Sequence, residues 1–395
     1  MKKYDFDKVT ERRHTGCLKY DFAVQRGRPD DVLPFWVADM DFPVAEEISE
    51  ALVKRCKHGI FGYSEAESDY FAALSAWYKN NFDWVVQEEW LTKTPGIVFA
   101  LAAAVNAFTK PGEAVLIQRP VYYPFTEVIE ENGRRLVNSP LKLEEDLYEM
   151  DFEDLEKKIV AENVRLMILC SPHNPVGRVW SEQELRTVGD ICLKHGVIVI
   201  SDEIHSDFVW GEHKHTVFAN LGEAYAQNCI VCTAPSKTFN LAGLQVSNIF
   251  IPNPKLRQAF RKSVTAAGYS QLNSLGLVAC EAAYKFGSVW LEELRAYLYT
   301  NIIFVDAYLK THLPKLRLLP PQGTYLLWID FSQIGMTARE REQWLLHEAK
   351  LWIDDGYIFG EEGNDFERIN IACPRSTLLQ GLEQLKKAYD KIVIP

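Results

Sequence analysis

Five apolar runs, at residues 114–117, 164–170, 197–200, 229–232 and 246–251, are separated by stretches of different texture, several with helical periodicity. Such continuous runs predict strands buried on both faces. Strands that alternate with helices predict a largely parallel sheet covered on both sides. The chain is therefore read as α/β. In open sheets of this kind, ligands bind beyond the carboxyl ends of the strands.

Polar residues of the right chemistry stand at those ends. Tyr122 follows the first run, Asn174 the second, Asp202 and His205 the third, and Lys237 the fourth. Each has an ordinary explanation when taken alone. Asn174 precedes Pro175 and suits a turn. Asp202 can cap a helix, His205 and Tyr122 can be core residues, and Lys237 can turn to solvent. All of them at one edge of one sheet make a single site the simpler reading.

The rest of the chain frames that site. Residues 1–44 are irregular and include Phe35-Trp36-Val37-Ala38-Asp39-Met40-Asp41-Phe42, a segment suited to crossing a surface and offering backbone to a cleft. Helical patterns follow at 45–57 and 69–80, with a glycine-punctuated loop between them that carries Tyr63. A very apolar helix at 97–108 starts after Thr94-Pro95-Gly96 and stops at Lys110-Pro111-Gly112. That stretch alone reads as a buried helix with a glycine turn. Ser181-Glu182-Gln183-Glu184 is a capping box that opens a helix running to about Gly196. Beyond residue 285 the texture changes to a long mixed-charge helix at 289–313, a strand at 324–331 and a strand at 368–373. The expected division is a large domain over 45–285 and a small α+β domain made of 286–395 together with the N-terminal arm 1–44.

Charge and composition exclude several classes. The 43 basic and 54 acidic residues leave a net charge of −11, which disfavours nucleic acid or an anionic membrane as a partner. No window has the ~18 apolar residues of a membrane span, and Met1 to Asp7 lacks an apolar signal core. A cytoplasmic protein is expected. Eight scattered cysteines read as small buried hydrophobes. Cys229 and Cys232 lie in one strand, three apart, and point to opposite faces, so no metal site is expected. His213 and His215 flank Lys214 in what reads as a solvated loop.

The strand-end residues match what pyridoxal 5′-phosphate (PLP) requires. Its aldehyde needs an amine, offered by Lys237. Its ring nitrogen needs a carboxylate to stay protonated, offered by Asp202. Asn174 can donate to the phenolic oxygen, and the Tyr122 ring can lie against the cofactor ring. The phosphate suits a helix N-terminus, here the backbone of Gly96, Ile97 and Val98, together with the Ser236 hydroxyl. The α-carboxylate of an amino-acid substrate needs a guanidinium, and Arg375 follows the late strand. Ala38 and Tyr123 are further candidates for substrate contact.

With these residues in view, the sequence resembles the fold-type I PLP enzymes of the aminotransferase class I/II superfamily. The resemblance rests on Asn174-Pro175-x-Gly177, Asp202-Glu203-x-His205, Ser236-Lys237-Thr238-Phe239-Asn240 and Pro374-Arg375, and it spans nearly the whole chain. Within that group the segments 35–42, 234–245 and 370–375 look most like the bacterial cystathionine β-lyase or C–S lyase branch. Many aminotransferases have a tyrosine three residues after the ring-nitrogen aspartate and an arginine eight residues after the lysine. Here His205 and Gln245 stand in those places, which weakens a plain aminotransferase reading and leaves it as the alternative. The resemblance implies α,β-elimination on L-cysteine S-conjugates such as cystathionine, giving thiol, pyruvate and ammonia. It also implies that Lys237 takes the Cα proton. It further implies an obligate homodimer in which Tyr63 reaches the neighbouring subunit's phosphate.

Overall fold

The computed structural model describes residues 3–393. A seven-stranded sheet forms the centre of the molecule. Its strands are β1 (Leu91–Thr94), β2 (Ala114–Ile117), β3 (Arg135–Asn138), β4 (Val164–Cys170), β5 (Ile198–Asp202), β6 (Cys229–Thr233) and β7 (Ser247–Phe250). The spatial order is β1-β7-β6-β5-β4-β2-β3. Strands β2 to β6 run parallel, and β7 is antiparallel to both of its neighbours. Every residue of β2, β6 and β7 is buried, as expected of strands covered on both faces. The five apolar runs are all strands. β1 and β3 went unread because Leu91-Thr92-Lys93-Thr94 and Arg135-Leu136-Val137-Asn138 mix charged and apolar residues, as strands at the margin of a sheet can.

Local signals place the helices. Ser181 accepts from the backbone N–H of Glu184, whose side chain returns the bond, and Gly196 ends the helix Glu182–His195 with φ of 66°. The predicted helix 97–108 is α1 (Ile97–Phe108), which packs on β4, β5 and β6. Register aligns the strand ends: Cys170, Asp202 and Cys232 sit side by side on β4, β5 and β6. The last residues of these strands, and the loops just after them, therefore reach one edge together.

The later part of the chain forms a second, antiparallel sheet. Its strands are β8 (Arg317–Leu318), β9 (Leu326–Asp330), β10 (Asp354–Asp355) and β11 (Phe366–Asn370), in the order β8-β9-β11-β10. Two long helices flank it, α2 (Ser288–His312) and α3 (Arg375–Val393). The strand predicted at 368–373 begins two residues earlier and ends at Asn370. The N-terminal arm joins this sheet region through a short parallel pairing of Leu33–Pro34 with Leu351–Trp352. Trp36 then stacks on Trp352 at 4.4 Å. No helix among the described residues is long and apolar enough to cross a membrane.

The arm is strapped across the strand ends. Asn240 accepts from the Met40 N–H at 3.0 Å and donates to the carbonyls of Met40 and Phe42, both at 3.0 Å. From the small sheet, Asn370 donates to the carbonyls of Val37 at 2.7 Å and Asp39 at 2.6 Å. Arg12 bridges Asp39 and Asp41, and the buried Lys19 donates to Asp41 at 3.0 Å. Asn240 after the central sheet and Asn370 at the end of β11 thus fix the backbone of residues 37–42, which is a close match to what a segment without regular structure needs.

Candidate active site

A cleft lies at the shared strand edge. Lys237, Asp202, Asn174, His205 and Tyr122 all line it, with Gly96, Ile97, Val98, Ser236 and Ala38. The structure therefore brings ten of the sequence-predicted residues to one place.

Lys237 stands on a single helical turn, Pro235–Thr238, directly after β6. Its Nζ donates to the carbonyl oxygen of Ala38 at 2.8 Å. Burial lowers the amine to about 8, against the opposing pull of Asp39. The turn itself is held from below, because Thr238 donates to the buried carboxylate of Asp207 at 2.7 Å.

Asp202 ends β5 and is buried. Its Oδ1 accepts from the Ile204 backbone N–H at 3.2 Å, and among the described residues it forms no ion pair. Burial raises it to about 7, and the neighbouring Glu203 adds to the rise. Glu203 is tied elsewhere: it accepts from Ser201 at 2.8 Å and from the Phe218 N–H at 2.9 Å, and faces His215 at 2.8 Å. His215 is thus a buried partner of Glu203, not the solvated loop residue expected. An aspartate beside a buried acid and without an ion-pair partner among the described residues is primed to meet a cation that a ligand brings.

Asn174 is oriented by a residue the sequence reading missed. Arg368 on β11 donates through Nη1 to Asn174 Oδ1 at 2.9 Å. A guanidinium only donates, so the asparagine carbonyl must face Arg368 and its NH₂ is left for the cleft. Tyr122 donates its backbone N–H to the Asn174 carbonyl at 3.0 Å. Burial pushes the Tyr122 phenol upward, so it stays protonated. His205 lies edge-on to Tyr325, with ring centroids 5.9 Å apart, and its Nδ1 is buried without a partner. Burial first, then the charges of Lys237 and Arg368, keep this imidazole neutral.

The far end of the cleft is the start of α1. Gly96 caps the helix without any side-chain hydrogen bond, and its first N–H groups have no intrahelical acceptor. A Cβ built on Gly96 would meet no atom within 4 Å, so there is open space in front of it. Ser236 and Gln245 complete this end. An anion fits there.

Three expected residues stand elsewhere. Arg375 does not line the cleft. It opens α3, donates through Nε to Asn301 at 2.7 Å and through Nη2 to Thr300 at 2.9 Å, and lies on the Phe304 ring. These partners on α2 hold it away from the cleft. Tyr123 is set beside Tyr122 and Phe359 and is close enough to feel Asp354 and Arg368. It does not line the cleft itself. Tyr63 is 98% exposed and borders a neighbouring groove with Pro95, Gln245 and Tyr269.

Arg368, which meets the cleft through Asn174, is the missed residue of most weight, and Cys170 lines the cleft unannounced. A signal for Arg368 existed: Glu367, Arg368 and Asn370 are polar residues inside a strand, and all three are buried. Buried charges need specific partners, which a strand pattern alone does not name.

These residues fit PLP. An amine, a cation-seeking carboxylate, an oriented amide N–H and a bare helix N-terminus face one space, and each matches one group of the cofactor.

Comparison with known proteins agrees. Residues 30–385 match the family described as aminotransferase class I and II. The chain is 44% identical to the cystathionine β-lyase PatB of Bacillus subtilis over 384 residues, covering 97% of this chain and 99% of that protein. The structure of Treponema denticola cystalysin, which contains a pyridoxal 5′-phosphate cofactor, superposes with a TM-score of 0.95 at 39% identity, covering 98% of this chain and 99% of that one. A PLP-bound C–S lyase of Staphylococcus hominis gives 0.91 at 34% identity, with 98% of each chain covered.

Proposed function

The chain belongs to the aminotransferase class I and II family, and we propose that its cleft converts L-cysteine S-conjugates, cystathionine among them, to thiol, pyruvate and ammonia. It is a PLP-dependent C–S β-lyase. When bound, PLP supplies an aldehyde that captures the substrate amine and a conjugated ring that accepts the electron pair left at Cα.

The chain's own residues do the rest. Asp202 holds the proton at the ring nitrogen, and its elevated pKa is lowered again by that cation. Asn174 donates to the phenolic oxygen with the NH₂ that Arg368 leaves free. The Tyr122 ring flattens one face of the space. The α1 N-terminus and Ser236 bind the phosphate, with Gln245 neutral where an arginine is common in relatives of the broader pattern. Lys237, deprotonated more readily than an exposed lysine, takes the proton from Cα. Its link to Ala38 keeps the amine inside the cleft. Arg368 takes the role expected of Arg375 and grips the α-carboxylate. The support is its buried Nε, which has no acceptor among the described residues.

The working unit we propose is a homodimer. Ile60, Phe61 and Tyr63 are 65%, 59% and 98% exposed on one loop, beside a groove that leads to Gln245. Adjacent exposed apolar side chains mark a docking surface.

The observation that carries the reading is the convergence of Lys237, Asp202 and Asn174 from three strand ends. The test is an assay of pyruvate and free thiol together, with L-cystathionine and PLP but no keto-acid acceptor. Sustained, equal release of both is expected. Turnover only when a keto acid is added would make the protein an aminotransferase instead.

A further inference from the structure

Arg368 has a carboxylate partner that nothing in the chemistry above uses. Asp354 on β10 stands directly opposite it on β11. Both side chains are buried, and Asp354 Oδ2 accepts from Arg368 Nη2. The same Nη2 donates to the Trp36 carbonyl at 2.8 Å, while Nη1 is on Asn174. The Phe359 ring lies 4.9 Å from the guanidinium. Both Nη corners of the fork are therefore anchored, and among the described residues Nε has no acceptor.

The neighbouring acids are committed elsewhere. Asp355 faces Arg28 at 3.5 Å, and Glu367 pairs with Arg341 at 2.5 Å. Asp354 is thus the countercharge of Arg368. A guanidinium buried without one tends to swing toward water. Burial alone would push the Asp354 carboxyl up, and even with Arg368 opposing it stands at about 6, so the pair depends on the closeness of its two members.

We infer that Asp354 is a positioning residue of the lyase: it fixes the Arg368 guanidinium so that the fork is already aimed when the substrate α-carboxylate arrives. The inference rests on the reading of Arg368 given above. It acts on amino-acid binding and not on the bond-breaking step, so preorganisation is what the residue supplies.

The test is a double-mutant cycle on PLP-loaded protein: wild type, Asp354→Asn, Arg368→Ala, and both together. Binding of L-alanine, which has a carboxylate but no leaving group, is followed by the change in visible absorbance. KM and kcat are measured on L-cystathionine. Asp354→Asn is expected to weaken L-alanine binding and raise KM about ten-fold, with kcat within about two-fold. In the Arg368→Ala background it should change neither. Unchanged L-alanine binding in Asp354→Asn, or an equal loss in both backgrounds, would overturn the inference. If Asp354→Asn fails to fold or to hold PLP, Asp354→Glu replaces it. Binding within about three-fold of wild type then supports the role, and binding as weak as Arg368→Ala refutes it. Wild-type protein that bound L-alanine but released no pyruvate would end the lyase reading and leave the cycle readable.

Discussion

The Lys237 amine shares one acceptor with a tyrosine: the Ala38 carbonyl takes Nζ at 2.8 Å and the Tyr325 hydroxyl at 3.0 Å. Among the described residues no carboxylate hydrogen-bonds the amine, and Asp39 and Asp202 act on it only through space. An ammonium in that position has little to hold its charge.

Lys237→Met should therefore stabilise the PLP-free protein near neutral pH. Lys237 titrates at about 8 in the fold against 10.5 unfolded. Below 8 the folded state carries a charge it solvates poorly, so that cost is fully present. As pH rises from 8 to 10.5 the cost fades, because the folded amine is already neutral while the unfolded one is not. After the lost bond to Ala38 is counted, a gain on the order of 1–2 kcal/mol is expected at pH 7. Urea unfolding of both apoproteins at pH 7 and pH 10 checks it, and a gap that does not close at pH 10 would contradict the burial argument. In the PLP-loaded protein the same substitution should lower turnover by about 10³-fold or more.

Asp202→Asn should show the same trade between apoprotein and holoenzyme, with the opposite pH dependence. The carboxyl stands at about 7 in the fold and 3.8 unfolded. Its raised pKa favours the fold below pH 4, and that advantage is lost as pH climbs through 7. The substitution should thus stabilise the apoprotein above pH 7 by on the order of 2–3 kcal/mol and leave it unchanged at pH 4. With PLP bound, kcat should fall about 10²- to 10³-fold, as when a charge-stabilising group is removed. Thermal melts of both forms over pH 4–8, with kcat alongside, decide it.

Two arginines test the proposed division between substrate binding and packing. Arg368→Ala should raise KM about 10- to 100-fold, the worth of a charge-assisted hydrogen bond. Arg375→Ala should leave KM within about two-fold and lower stability by about 1 kcal/mol, since its partners Asn301 and Thr300 only join α3 to α2. A large KM effect at Arg375 would restore the expectation made from sequence.

Tyr63→Phe tests the assembly. Sedimentation should give a mass near twice 45.3 kDa, and the substitution should weaken PLP affinity several-fold without altering the mass. A monomer with full PLP affinity would refute the proposed dimer.

The central sheet was legible because its strands are continuous apolar runs, and the cleft because ligand groups follow such strands directly. Lys237, Asp202 and Asn174 needed only that rule. Gly96 to Val98 could not be assigned from their own stretch, which reads as a buried helix. Their meaning comes from β4 to β6, which the helix crosses.

What the sequence determined by itself is the local chemistry: which strands are buried, where helices start, and which residues stand at the parallel strand ends. Periodicity and capping act over a few residues, so they leave a readable trace. Only the tertiary structure separates the settings of Arg375 and Arg368. The first is claimed by Asn301 on a neighbouring helix. The second is carried by the pairing of Asp354 with β11 to a place beside Asn174, 194 residues away in the chain. A buried charge is placed by its partners, and partners that far apart are joined only when the two sheets pack.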